Sequence, residues 1–364
     1  HDVWGRAQEL ASHLASHLPV TYLSPTAVHR RLEAGERWRA HEERDQGRLA
    51  VRCPLTLPGD YQSAPVRRFN ARSLVRMIRR WGIPAEESVL LLNTPFLPEV
   101  VEHLPWGLAV YDWHDDFAAF PWAPRGAQRL EARTLAHVDT ATSGTRVLAA
   151  TKPGPPRFIP NGVRYEAFAE CRAPRPSDLP SGFDHLVGYI GTAGEHFDVE
   201  LFEEVARRLP RVGFVVIGPV RLARPLQGAN VAALGLRPHE SLPAYVRHFG
   251  AGLIPFKTGP GAEAINPTKL LEYAAAGVPV VSTPLPDVVA LFSDCAVVAG
   301  TAETFALAIE HALAGDSQGK AARARDRARA ASWEETGHAM WEVVMQAWSH
   351  RHGSGGPGGQ RSRD

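Results

Sequence analysis

Residues 266 to 283 read NPTKLLEYAAAGVPVVST, a helix that runs at once into a buried strand. Asn266 and Pro267 make a helix start, because Asn caps and Pro tolerates the first helical position. The alanines at 274, 275 and 276 and the GVPVV that follows describe a close-packed helix beside a strand covered on both faces. Glu272 breaks that pattern. A carboxylate on such a helix is costly unless it has work to do.

Working outward, short apolar runs alternate with amphipathic helical stretches, the pattern of parallel α/β sheets. Upstream lie HLVGYIG, GFVVIGP, NVAALG and AGLIPF as strands, with DVELFEEVARRLP and ESLPAYVRHF as helices. In the first half, ELASHLASHL is helical, VTYLSP, GRLAVRCP, SVLLLNTP and GLAVYDW are strands, and ARSLVRMIRRWG is a helix ending at Gly82. QRLEARTLAHV is a further helix, and TATSG and RFIPNGV are strand-like. The expected organisation is a first Rossmann-like domain over 1–168, a Pro- and Ser-rich linker over 169–184, and a second over 185–332. A helix over 333–351 is expected to cross back to the first domain, and 352–364 is a disordered tail. The expected fold is α/β, two doubly wound parallel sheets facing a cleft. No strand precedes the first helix and no Met opens the chain, so a segment missing ahead of His1 is expected.

Composition narrows the function classes. The 40 Lys and Arg nearly balance 39 Asp and Glu, which argues against a nucleic-acid binder. No run approaches the ~18 apolar residues of a membrane span. Cys53, Cys171 and Cys295 are few and far apart, which suggests a reducing compartment and forms neither a disulfide framework nor a zinc site. With no signal peptide visible, the expected location is cytoplasmic. Peripheral association with the inner face of a membrane is compatible with this, although no strongly basic amphipathic helix declares it.

Three loops carry the candidate chemistry of the second domain. In GYIGTAGEHFD, Gly188, Gly191 and Gly194 let backbone amides approach a ligand, and VVIGPV ends in the turn Gly218-Pro219; either is equally an ordinary tight turn. At the opening stretch, the amides behind Asn266, Pro267 and Thr268 suit a diphosphate, and the Lys269 ammonium can neutralise it. Glu272 lies one turn past Thr268, and two carboxylate oxygens side by side suit a ribose diol; the bland alternative is a surface Lys–Glu pair. In the first domain, His114, Asp115 and Asp116 follow a strand, where polar groups serve a site or merely cap the next helix. Their consecutive spacing points the side chains to opposite faces, so no metal site is assigned. Gly5 and Arg6 open the first helix, with Arg6 either a bidentate phosphate donor or a surface arginine.

NPTKLLEYAAAGVPVVST resembles the donor-binding segment of GT-B-fold glycosyltransferases, in the retaining group whose signature is two glutamates separated by seven residues. GYIG, VVIGP, NVAALG, YVRHFGAGLIPFK and IPNGV stand in that group's order, and WGRAQELASHL and AVYDWHDDFAAF resemble bacterial members acting in cell-surface polysaccharide and teichuronic-acid-type synthesis. The resemblance spans about residues 2 to 345. It implies a nucleoside-diphosphate sugar on the second domain, with no prosthetic group and a uridine conjugate ahead of a guanosine one. A glycan, lipid-linked or small-molecule acceptor is implied on the first. Glu272 matches the ribose ligand, Asn266, Pro267 and Thr268 the amide-bearing turn, and Gly191 and Thr192 the loop beside the phosphates. Leu236 and Arg237 match the backbone that reads the base, and His114, with Asp115 after it, the histidine that meets the sugar. The first signature position holds Ala264, with Glu263 one place out of register, and the usual cation after the glycine loop is missing, so Lys257 and Lys269 are the substitutes. The implied reaction displaces a nucleoside diphosphate at the anomeric carbon by an acceptor hydroxyl, with retention. If the reaction inverts, Asp115 or Asp116 is the candidate base. The alternatives are a sugar-nucleotide epimerase or a phosphorylase of the same architecture, and a degenerate nucleotide-binding partner protein.

Overall fold

The computed structural model describes residues 5–29, 41–44 as backbone, 47–120, 122–259, 262–353 and 356–357. Contacts divide the described residues into two compact units, one of Asn161–Glu335, the other of Gly5–Pro160 with the segment that starts at Thr336. Most of the 352–364 tail lies outside the described residues.

In the other unit, β1 (Val20–Leu23) pairs in parallel with β4 (Leu49–Arg52), and β4 pairs antiparallel with β3 (His41–Arg44). Next to these, β2 (Thr26–Ala27) pairs with β5 (Leu55–Thr56). A four-stranded parallel sheet follows in chain order: β6 (Val89–Leu92), β7 (Leu108–Trp113), β8 (Thr140–Ser143) and β9 (Arg157–Phe158). Every residue of β7 is buried, as expected for a central parallel strand. The helix Trp333–His352 lays Val344 and Trp348 on Leu108 and Val110, and Met340 and Val343 on Leu10 and Ile159. Gly337 permits its approach to the first helix, since a Cβ there would sit 2.1 Å from His13. The helix Ala64–Arg80 starts seven residues before the sequence reading put it, with Pro65 in its first turn where a proline costs nothing. Those two added turns bring Arg67 and Arg68, so a strongly basic amphipathic helix is present after all.

The Asn161–Glu335 unit holds one parallel sheet of six strands: β10 (His185–Ile190), β11 (Val212–Ile217), β12 (Val231–Gly235), β13 (Ala251–Ile254), β14 (Val280–Ser282) and β15 (Val297–Val298). Their spatial order is β12-β11-β10-β13-β14-β15, so the winding reverses between β10 and β13. Ligands of open α/β sheets bind outside the strand carboxyl ends at that reversal. Behind it stands an aromatic core of Tyr189, Phe197, Phe202, Phe214, Tyr273 and Phe305, each almost wholly buried. Asn230 gives its amide to the carbonyls of Ala206, Leu209 and Val212 at 2.9, 3.0 and 2.8 Å, tying a helix end to β11. At the other end of that helix, Asp198 caps the amide of Leu201 at 2.9 Å. Residues 169–184 lie within this unit, and Asp178 there binds Arg237 at 2.7 Å.

Candidate active site

Three pieces of backbone and two side chains meet at the carboxyl ends of β10 and β13. Gly191 follows β10 at φ +122° and Gly218 follows β11 at φ +137°. The two loops interlock: the Gly191 amide donates to Ile217 at 2.8 Å and that of Ala193 to Pro219 at 2.9 Å. A Cβ on Gly218 would stand 2.2 Å from the Gly191 carbonyl oxygen, so both positive φ and contact demand glycine there. Thr192 completes the loop, its carbonyl accepting from the Tyr189 hydroxyl at 2.8 Å, and burial pushes that hydroxyl's pKa well up, so it stays a donor. Gly188 does something else. It lies inside β10, where a Cβ would overlap Phe249 at 2.1 Å, so it serves packing and not ligand approach.

The helix after β13 runs Lys269–Ala275, with Thr268 at its N-cap in αR conformation and making no side-chain cap. The Asn-Pro pair therefore stands before the helix and does not cap it; Pro267 accepts the first turn's bond from Leu270 at 3.1 Å. Asn161, from the IPNGV stretch, holds the Asn266 carbonyl through Nδ2 at 3.2 Å. Lys269 reaches back to the glycine loop. Its ammonium lies 4.8 Å from the Phe256 ring centre and 5.4 Å from that of Tyr189, and a Cβ on Gly191 would be 3.2 Å from its Cε. Three residues on, the half-buried Glu272 side chain is 15% exposed and its Oε1 lies 3.1 Å from Nε2 of His239. It is not a Lys–Glu surface pair. Tyr273 turns the other way and accepts the Ile190 amide at 2.9 Å, locking helix to sheet.

The remaining candidates of this unit separate. Lys257 is exposed just past β13, its amide donating to His196 at 2.8 Å. Leu236 is 46% exposed after β12, while the Arg237 side chain is engaged by Asp178 and by the Tyr245 hydroxyl at 3.2 Å. Ala264 is buried and Glu263 exposed, so the first signature position offers no inward carboxylate.

In the Gly5–Pro160 unit, one reading is overturned. Arg6 is neither a phosphate donor nor a surface residue: its Nε and Nη2 grip Asp112 at 2.8 and 2.9 Å, with side chains 3% and 0% exposed. Burial pushes the Asp112 carboxyl up, but Arg6 and the 2.7 Å bond from Thr142 win and hold it below the usual range. Gly5 caps this helix, its amide bound to Gln8 Oε1 at 3.2 Å. Asp116 is spent on Lys152 at 2.9 Å, and Lys152 also reaches Glu131 at 3.0 Å, whose other oxygen accepts from Trp113 Nε1 at 2.8 Å. Burial lowers the Lys152 pKa, but these two carboxylates outweigh it and raise it. His114 stays open: past β7, its Nε2 is 3.7 Å from Asp115, its ring packs edge-on to Phe117 at 4.8 Å, and its buried Nδ1 has no partner among the described residues.

Residues 198–340 match the family model described as Glycosyl transferase-like. A protein of Bacillus subtilis (strain 168) named "Putative teichuronic acid biosynthesis glycosyltransferase TuaH" is 32% identical over 225 residues, 55% of this chain and 56% of that one, so the match spans about half of either. Among solved structures, sucrose-phosphate synthase from Thermosynechococcus elongatus superposes with TM-score 0.75 at 14% identity, covering 94% of this chain and 93% of that. Anabaena Alr3699/HepE in complex with UDP and glucose superposes with TM-score 0.67 at 14% identity, covering 93% and 95%. The fold is thus GT-B, and the likeness to the glycosyl transferase-like family is confined to residues 198–340.

Within that segment, the sequence pointed to Glu272 and Lys269 as candidates but not to His239, which the fold sets against Glu272. Its signal was present, since His239 follows Leu236 and Arg237 by only a few positions after β12. Asn161 was missed as a residue although IPNGV was noticed as a motif.

Proposed function

We propose that this protein is a glycosyltransferase that moves a hexosyl group from a nucleoside diphosphate to an acceptor hydroxyl in polysaccharide or glycoconjugate synthesis. A uridine donor is favoured over a guanosine one, and retention over inversion, on the resemblance of the donor segment. The observation that carries the reading is the convergence of Lys269 on the Gly191 loop with an inward Glu272 three residues later. The carboxylate accepts from the ribose diol, and the Lys269 ammonium faces the diphosphate, where negative charge builds as the anomeric C–O bond breaks. A bond to the acceptor oxygen forms at the same carbon. In the front-face course, the leaving phosphate takes the acceptor's proton and no protein base is needed. Lys257 adds a second cation at the end of β13, and with Ala264 buried, the sugar's hydroxyls fall to the backbone of 265–267. His114 and Asp115 keep the sugar-handling roles that the resemblance implies.

Ala264 favours a second reading, a degenerate nucleotide binder. A thermal-shift panel of nucleoside diphosphates and their sugar conjugates tests both. A nucleotide at a hundred times its Kd stabilises a site by about 2.7 kcal/mol. Loss of two hydrogen bonds to a carboxylate, at roughly 1.5–3 kcal/mol each, raises Kd at least a hundredfold and leaves under about 0.5 kcal/mol. Glu272→Ala should therefore abolish the shift. An unchanged shift refutes both readings, and a normal shift without transfer or donor hydrolysis selects the binder.

A further inference from the structure

The helix Ala64–Arg80 carries six arginines in 17 residues and no acidic residue. Its buried positions fall on one side, and Arg68, Arg72, Arg76 and Arg80, four residues apart, form an exposed stripe on the other. At the helical rise the stripe is about 18 Å long. None of the four pairs with a described carboxylate, unlike Arg133 with Glu102, Arg224 with Glu203 and Arg237 with Asp178. Like charges at this spacing repel, so the stripe lacks an internal counter-ion. The whole chain has a net charge of only +1, which makes the feature local.

Apolar side chains gather at one end. Phe69 is 53% exposed, Leu57 44%, Tyr61 43% and Trp122 40%. Asn70 fastens Leu57 to the helix through two 2.9 Å bonds, and Tyr61 meets Trp122 edge-on at 5.4 Å. Exposed aromatics beside the first arginines of the helix, with Phe69 next to Arg68 and Tyr61 next to the Asp60 carbonyl that Arg67 binds at 3.3 Å, make an interaction surface.

We propose that this face docks on an anionic phospholipid bilayer. Guanidinium groups match phosphate oxygens bidentately, and Trp and Tyr favour the membrane–water interface. A nucleic acid fits less well, because stacking on bases calls for aromatics interleaved with the cations, and here they stand at one end. The helix keeps its apolar side in the protein core and no described helix is long and apolar enough to cross a membrane, so attachment is peripheral. The inference stands on this surface and does not need the transferase reading.

Co-sedimentation with vesicles of phosphatidylcholine, alone or with one third phosphatidylglycerol, tests it. The full chain should bind the anionic vesicles at least tenfold better, with binding falling as salt rises. Changing Arg68, Arg72, Arg76 and Arg80 together to Gln keeps helix propensity and should weaken binding by nearly three orders of magnitude, from roughly fivefold per arginine at the surface. Phe69→Ser with Trp122→Ala should weaken the salt-resistant remainder. Circular dichroism and the nucleotide shift should not change in either variant. Equal binding to both vesicle types, no binding to either, or full binding by the arginine variant overturns the proposal. So does a duplex DNA bound as tightly as the anionic vesicles with no effect of the aromatic changes.

Discussion

Replacing Asp112 by Ala strands a guanidinium in the core, and the loss can be worked out in advance. Arg6 is 3% exposed and spends Nε and Nη2 on this one carboxylate, which also accepts from Thr142 at 2.7 Å and Asn93 at 3.3 Å. Removing one partner of a buried pair costs about 3–5 kcal/mol, because the other charge is left uncompensated. For a unit of this size, 2–4 °C per kcal/mol gives a melting temperature about 6–20 °C lower. Arg6→Met with Asp112→Leu removes both charges and should recover at least about 2 kcal/mol of that loss, the coupling read by a double-mutant cycle. Acid adds a second signature. The Asp112 pKa is lowered in the folded chain, so its stabilisation is complete above the unfolded value near 4 and is lost as pH falls through the folded one. Wild type should therefore show an acid-sensitive component below about pH 4 that the Asp112→Ala curve lacks. Thermal melts between pH 2 and 7 measure both, with urea titrations giving the free energies for the cycle. A drop under about 3 °C, or a double variant no more stable than the single, refutes the reasoning.

Gly218→Ala should lower stability by about 3 kcal/mol or more, since it combines a disfavoured positive φ with a Cβ 2.2 Å from the Gly191 carbonyl; a melting temperature within about 2 °C of wild type would show the two loops to be independent. His239→Ala should leave folding intact and raise the nucleotide Kd about 2- to 13-fold, the worth of one hydrogen bond, with His239→Gln partly restoring it; calorimetric titration in which the Ala variant binds as wild type does would free Glu272 from this partner.

Legibility followed range. Five of the six strands of the Asn161–Glu335 unit were readable, the inner ones because strands covered on both faces become unbroken apolar runs, as VGFVVI does in β11; the two-residue edge strand β15 was too short to see. Glu272 was readable because a carboxylate beside three alanines is locally anomalous. The helix start was misread because an Asn-Pro pair signals a cap and a turn equally, and only the fold shows that Thr268 takes the cap position. Arg67 and Arg68 escaped for the converse reason: Pro65 looks like a breaker but sits in a first turn. Arg6 could not be placed at all, since its partner is 106 residues away and nothing local distinguishes a buried arginine from an exposed one. Glycines in one motif also looked alike in sequence, yet Gly188 answers to Phe249 and Gly191 to the close approach of Lys269.

The His239–Glu272 contact bears on how a diol could be gripped. A carboxylate has about four acceptor sites on its two oxygens, and His239 takes one, on Oε1. Oε2 and the second site of Oε1 remain for a ligand, so the imidazole can orient the carboxylate without displacing what it binds. An unpartnered glutamate would have to order its side chain on binding, at a cost of about 0.5–1.5 kcal/mol. Holding Oε1 in advance removes part of that cost. Tyr273, next along the helix, fixes the backbone from the opposite side by accepting the Ile190 amide, which belongs to the strand that leads into the glycine loop. The carboxylate and the loop are thus referenced to the same strand. A displacement of the helix would move Lys269 and Glu272 together and leave their mutual spacing unchanged.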